Sequence, residues 1–197
     1  KPVCFVLRAI YATFASIMDL NLLSADEART LDECLRAAQH IIIVAHSQPD
    51  GDAIGSSLAW GNFLAVHYGK QPRIVVPNAF PDFLHWMPGI EQIVRYDKHP
   101  EQVEGWLDEA DLVCCLDFND LGRTLDMTDA LTRCKAGRVL IDHHIHPTID
   151  TRLTASFPEL SSTSEIVFRI VWQLGGFDEL GKAFAVPAYC GMMTDTG

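Results

Sequence analysis

Three stretches constrain the fold more than anything else in this chain: IIIVA at 41–45, LVCCL at 112–116, and the VLI of RVLID at 138–142. Each is apolar at consecutive positions rather than at alternate ones. Alternation marks a strand with one wet face. An unbroken short apolar run fits a strand covered on both faces, as in parallel sheets with helices above and below. The segments between the runs read as helices. Strand–helix alternation of this kind predicts an α/β fold, an open, mostly parallel sheet with helices on both faces, preceded by N-terminal helices.

The helical segments carry their own signals. Residues 7 to 19 and 26 to 39 read as helices. Ser24 is a fair N-cap for the second, with Glu27 at capping-box spacing and Leu31, Leu35 and Ala38 for a buried face. A helix should start near Ala53 or Ile54 and end at Gly69. RIVVP and QIVRY read as strands, 101 to 110 and about 126 to 134 as helices, and TASFPE as a short strand. SSTSEIVFRIVWQLGG is a clear helix capped by Ser162 or Thr163. Phe184 to Met193 is a further helix or buried segment. The expected division is a helical leader over 1–39 packed on a domain over 40–197.

Of the 197 residues, 48% are hydrophobic, enough for one large core, and the formal net charge is −11. Stable duplex-DNA binding is not expected from so acidic a chain, because a phosphate backbone wants a positive surface. A phosphate substrate is not excluded, since bound cations reverse the local sign. The six cysteines show no CxxC spacing, so reduced thiols in a cytoplasm are the expectation. No stretch reads as membrane-spanning. The apolar start is interrupted by Arg8 and ended by Asp19, which favours an amphipathic helix over a signal peptide. That leader also offers a surface to a second copy, so a homodimer is one expected arrangement.

Each apolar run delivers ionisable groups just beyond its end. IIIVA leads to His46, Asp50 and Asp52, LVCCL to Asp117, and RVLI to Asp142, His143 and His144. A fourth run, YCGMM, leads to Thr194 and Asp195. Four such ends are expected to converge in the crevice outside the sheet's carboxyl edge. Singly, each has a bland explanation: Asp50–Gly51 as a turn, Asp117 as a helix cap, a lone histidine as structural. Together they ask for cations. Carboxylates mixed with imidazoles suit Mn²⁺, Fe²⁺, Co²⁺ or Zn²⁺. There are too many for one ion, and Asp117, alone on its loop, is the natural bridge between two. A two-metal centre points to hydrolysis of a phosphate ester. Gly51 is expected to let the loop turn tightly between its aspartates. Gly55, Ser56 and Ser57 read either as an anion site at a helix N-terminus or as packing and capping residues. Arg123 reaches a phosphate or pairs with a surface acid. His67, His85 and His99 have no acidic companions at useful spacing and read as surface or core histidines.

HSQPDGDAIGS, LDFND, IDHHIHP and MTDTG, in that order, resemble the four motifs of the DHH phosphoesterase family over residues 38 to 197. PDGDAIGS after a histidine is similar to the bifunctional oligoribonuclease and pAp phosphatase branch. The resemblance implies one metal on His46, Asp50 and Asp117, and another on Asp52, Asp117, His143 and Asp195. It implies Asp142 orienting an imidazole or water, and His144 facing the scissile phosphate. The cations would be Mn²⁺, with Mg²⁺ or Co²⁺ substituting. The implied substrates are short single-stranded RNA oligonucleotides and 3′,5′-bisphosphorylated adenosine, a nucleoside bisphosphate, hydrolysed by metal-hydroxide attack. The alternatives are a phosphoesterase for a cyclic dinucleotide, pyrophosphate or polyphosphate, or a non-catalytic metal-binding α/β domain. The family also implies a smaller C-terminal substrate-binding domain, which nothing after Gly197 supplies.

Overall fold

The computed structural model describes residues 20–196. The helix expected over 7 to 19 lies outside them. Helix α1 (Ala25–Ala37) opens on the expected capping box: Ser24 N–H donates to Glu27 Oε2 at 2.8 Å and Glu27 N–H to Ser24 Oγ at 3.3 Å. There follow β1 (Ile41–Val44), α2 (Gly51–Tyr68), β2 (Arg73–Val76), β3 (Ile93–Arg95), α3 (Pro100–Glu109), β4 (Leu112–Leu116), α4 (Thr128–Arg133), β5 (Gly137–Asp142), β6 (Leu153–Ser156), α5 (Thr163–Gln173) and α6 (Lys182–Asp195). No helix among them is long and apolar enough to cross a membrane.

The six strands form one sheet in the order β3-β2-β1-β4-β5-β6, with every neighbouring pair parallel. The two-faced burial expected of the apolar runs is how they are used. Ile41 and Ile43 of β1, with Cys114 of β4 and Val139 of β5, pack under α1, α2, α5 and α6, against Leu31, Trp60, Ile170 and Phe184. Ile42 and Val44, with Cys115 and Leu140, pack under α3 and α4, against Leu107 and Leu131. A strand exposed on neither face has no position left for a polar side chain.

The chain runs outward from the middle of the sheet in one direction through β2 and β3, then returns to begin again at β4 beside β1. Where the winding reverses, the loops leaving neighbouring strands diverge and open a crevice. Register aligns what enters it. Val44 pairs with Cys115, and Cys115 with Leu140. His46, Asp117 and Asp142, each two residues further on, therefore reach the sheet's carboxyl edge at one level.

The fourth apolar run lies in the helix expected over Phe184 to Met193 and is not a strand. Residues 182–195 are a helix, α6, so Asp195 reaches the crevice from a helix C-terminus. Small residues let α6 cross α2 closely: a Cβ on Gly55 would lie 2.5 Å from the Pro187 carbonyl oxygen.

Candidate metal centre

His46 is buried, with Nδ1 2.8 Å from the Ser47 carbonyl oxygen. That contact turns Nε2 toward Asp117 Oδ2 at 3.4 Å and Asp50 Oδ2 at 3.9 Å. Asp50 is the N-cap of α2. Its Oδ1 accepts from the Asp52 and Ala53 N–H groups, both at 3.0 Å, which leaves Oδ2 to face His46. One carboxylate thus starts a helix with one oxygen and offers the other to the crevice.

Asp117 ends β4 in the left-handed region, at φ 66°. Aspartate tolerates that region better than most residues, though at some cost in strain. Its Oδ2 faces His46, while Oδ1 lies 3.5 Å from His143 Nε2 and 3.9 Å from His144 Nδ1. His143 Nε2 is also 3.5 Å from Asp195 Oδ2 and 4.0 Å from Asp52 Oδ2. His144 Nδ1 meets Asp142 Oδ1 at 2.7 Å, and Asp142 is fully buried.

Two three-residue groups result, His46–Asp50–Asp117 and Asp52–His143–Asp195, with one donor atom from each residue within 4.8 Å of the others. Asp117 presents one oxygen toward each. A third grouping, Asp117–His143–His144, shares Asp117 with the first and His143 with the second. Neighbouring and opposite ligands of an octahedral ion at about 2.1 Å lie about 3.0 and 4.2 Å apart. The separations of 3.4 to 4.0 Å between these facing donors fit that span, and most are too long for strong hydrogen bonds.

The electrostatics ask for the same cations. Burial, with the Asp117 charge added, pushes the Asp52 carboxyl up to about 7 against the hydrogen bonds it accepts. Burial also pushes Asp117 up, but the imidazoles of His143 and His46 facing it outweigh that and hold this carboxyl well below the usual range. The Asp117 carboxylate facing it is the main cause raising His143 to about 9. Burial works against charge on His46, yet the Asp117 carboxylate raises it too. Burial raises Asp195. Without cations, protons on the imidazoles and on Asp52 balance the carboxylates; divalent ions can take that place.

The structure thus brings together His46, Asp50, Asp52, Asp117, Asp142, His143, His144 and Asp195. Of the two readings of Gly55, Ser56 and Ser57, it favours packing over an anion site. The helix begins at Gly51, so those amides lie beyond its first turn. The Ser56 and Ser57 hydroxyls donate back to the Asp52 and Ala53 carbonyls at 2.7 Å, and both side chains are buried. Gly51 also differs from expectation. It is a helical residue without positive φ, and what requires a glycine is Thr194, whose side chain occupies the space a Cβ would take. Arg123 is half-buried. Its carbonyl accepts from Ser47 N–H at 2.8 Å, beside His46, and its Nη1 is buried with no hydrogen-bond partner among the described residues.

Thr163 and Ser164, at the start of α5, escaped the sequence reading as site residues. Their N–H groups donate to Asp52 Oδ2 at 2.7 Å and Oδ1 at 2.8 Å, and the Thr163 hydroxyl to Asp117 Oδ1 at 2.9 Å. The signal was present in SSTSE before an apolar helix, since free amides at a helix N-terminus attract an anion. Here the anion is the chain's own carboxylate.

Comparison with known proteins gives the chain its family and fold relatives. The model of the DHH family, N-terminal domain, matches residues 40–192. The bifunctional oligoribonuclease and PAP phosphatase NrnA of Thermus thermophilus is 30% identical over 173 residues, covering 87% of this chain and 48% of that protein. An exopolyphosphatase-related protein from Bacteroides fragilis superposes with a TM-score of 0.87 at 44% identity, over 90% of this chain and 52% of that one. The exonuclease RecJ of Thermus thermophilus, in complex with Mn²⁺, shares the fold at a TM-score of 0.52 and 19% identity, over 89% of this chain and 25% of RecJ. The chain therefore spans about half the length of the first two relatives. With four motifs meeting at the switch point of a parallel sheet and a family match across most of its length, this chain belongs to the DHH phosphoesterase family.

Proposed function

We propose that the chain provides a two-cation phosphoesterase centre, with Mn²⁺ as the working ion. The observation that carries this reading is the Asp117 carboxylate, which turns one oxygen to each of two three-residue donor groups. His46 and Asp50 would hold one ion with Asp117; Asp52, His143 and Asp195 would hold the other. The imidazole–carboxylate mixture suits Mn²⁺ better than Mg²⁺, and the RecJ relative was solved with that ion. When bound, the cations supply Lewis acidity that activates water and offsets phosphate charge.

The chain's own residues have separate tasks in this reading. Asp142 fixes the His144 ring through Nδ1, leaving Nε2 to hold the proton delivered to the departing oxygen. The Arg123 guanidinium, half-buried and with an Nη1 that has no acceptor among the described residues, would orient the phosphate. The substrates proposed are short RNA oligonucleotides and a nucleoside 3′,5′-bisphosphate, by likeness to the Thermus relative. A second reading, linear polyphosphate or pyrophosphate, is favoured by the exopolyphosphatase-related protein at 44% identity.

One panel separates the two. It measures Mn²⁺-dependent release of phosphate or mononucleotide from a nucleoside bisphosphate, a dinucleotide, a cyclic dinucleotide, pyrophosphate and a short polyphosphate. Turnover of the first two above the others supports the proposal. Turnover confined to the anhydrides favours the second reading, and turnover of none contradicts both.

A further inference from the structure

The N-terminus of α5 is occupied by two carboxylates that arrive from distant parts of the chain. Thr163 touches both, through its N–H to Asp52 and its hydroxyl to Asp117, and Ser164 N–H completes the hold on Asp52. Thr163, Ser164, Asp52 and Asp117 are all buried. The helix's free amides and its positive end therefore serve an internal anion rather than a ligand. Each Asp52 oxygen receives one backbone donor, which fixes the carboxylate plane and leaves further lone pairs free.

Asp117 is held differently on its two sides. Its Oδ2 faces His46, whereas Oδ1, the oxygen facing His143, is where the Thr163 hydroxyl donates. Removing that hydroxyl leaves the His46 side in place. On the other side it strips a buried oxygen, the one turned to His143, of the donor that fixes it. The consequence falls on the half of the centre built from Asp52, His143 and Asp195.

We propose that Thr163 is a positioning residue: its hydroxyl fixes Oδ1 of the bridging Asp117 carboxylate, the oxygen turned to His143, and so governs cation binding at the Asp52–His143–Asp195 side in preference to the His46–Asp50 side. This rests on the two-cation reading above. Its backbone N–H survives any substitution, so the hydroxyl is the part open to test.

Thr163→Val keeps the shape and β-branch and removes only the hydroxyl; Thr163→Ser keeps the hydroxyl. Free Mn²⁺ is followed by electron paramagnetic resonance during titration of each protein, with thermal unfolding of the cation-free form as a check on folding. The expected result is two binding steps in the wild type. In Thr163→Val one step is weakened about tenfold or more and the other unchanged, and Thr163→Ser restores both. Should the valine variant fail to unfold cooperatively, Thr163→Ala carries the same comparison. Equal weakening of both steps in a folded variant, or no weakening, overturns the proposal while the two-cation reading stands. A wild type that binds no Mn²⁺ overturns the reading and the proposal with it.

Discussion

At the scale of single residues, the site is a set of charges that cannot all ionise together without help. His143 is raised to about 9 and Asp52 to about 7, so near neutral pH the cation-free centre carries protons on ligand atoms. A cation needs His143 neutral and Asp52 ionised, and must displace those protons. Mn²⁺ affinity should therefore rise with pH through about 7 and flatten above about 9, with proton release at pH 7. Calorimetry in buffers of different ionisation enthalpy measures that release, and a binding enthalpy independent of buffer would contradict it. In the proposed reading His144 has a different task, since its Nδ1 is engaged by Asp142. His144→Ala should keep both cations while turnover falls about 10²–10⁴-fold, as expected for loss of a general acid. Metal analysis beside kcat decides this, and loss of a cation would make His144 a ligand. Most of these residues were legible in the sequence, because each follows an apolar run. Thr163 and Ser164 were not, since their partner Asp52 lies more than a hundred positions away and only the fold joins them.

At the scale of elements, how helices meet decides whether the ligands meet. Asp195 rides on the last turn of α6, and α6 lies close against α2 and α5 at glycines. A Cβ on Gly191 would collide with the Ser164 side chain and lie 2.9 Å from Asp52 Oδ1. Gly191→Ala should therefore shift α6, draw Asp195 from His143, and destabilise the fold by about 1–3 kcal/mol as overpacking does. Chemical denaturation and Mn²⁺ stoichiometry on the same variant check both effects, and unchanged stability with two cations bound would show that the contact yields freely. The sequence marked YCGMM as a run with an acid beyond it, but an apolar segment of five cannot tell a helix from a strand. The start of α2 was misplaced for a different reason. The Asp50 side chain caps from within PDGD, so the helix begins at Gly51 and the Gly55–Ser57 amides are already used.

At the scale of the whole molecule, function follows from where the winding reverses. The apolar runs made parallel, doubly covered strands legible, and the paired faces of Ile41 and Ile43 against Ile42 and Val44 are that prediction realised. Strand order was not legible, because nothing local in IIIV or LVCCL says that β1 and β4 are neighbours. That pairing brings His46 level with Asp117 and makes one carboxylate common to both halves of the centre. The most direct measurement is the number of Mn²⁺ ions bound per chain at saturation, by equilibrium titration, in the wild type and in Asp117→Ala. Two ions in the wild type and none held in the variant are predicted. A wild type that saturates at a single ion, or an Asp117→Ala variant that keeps both, would contradict a centre bridged by Asp117.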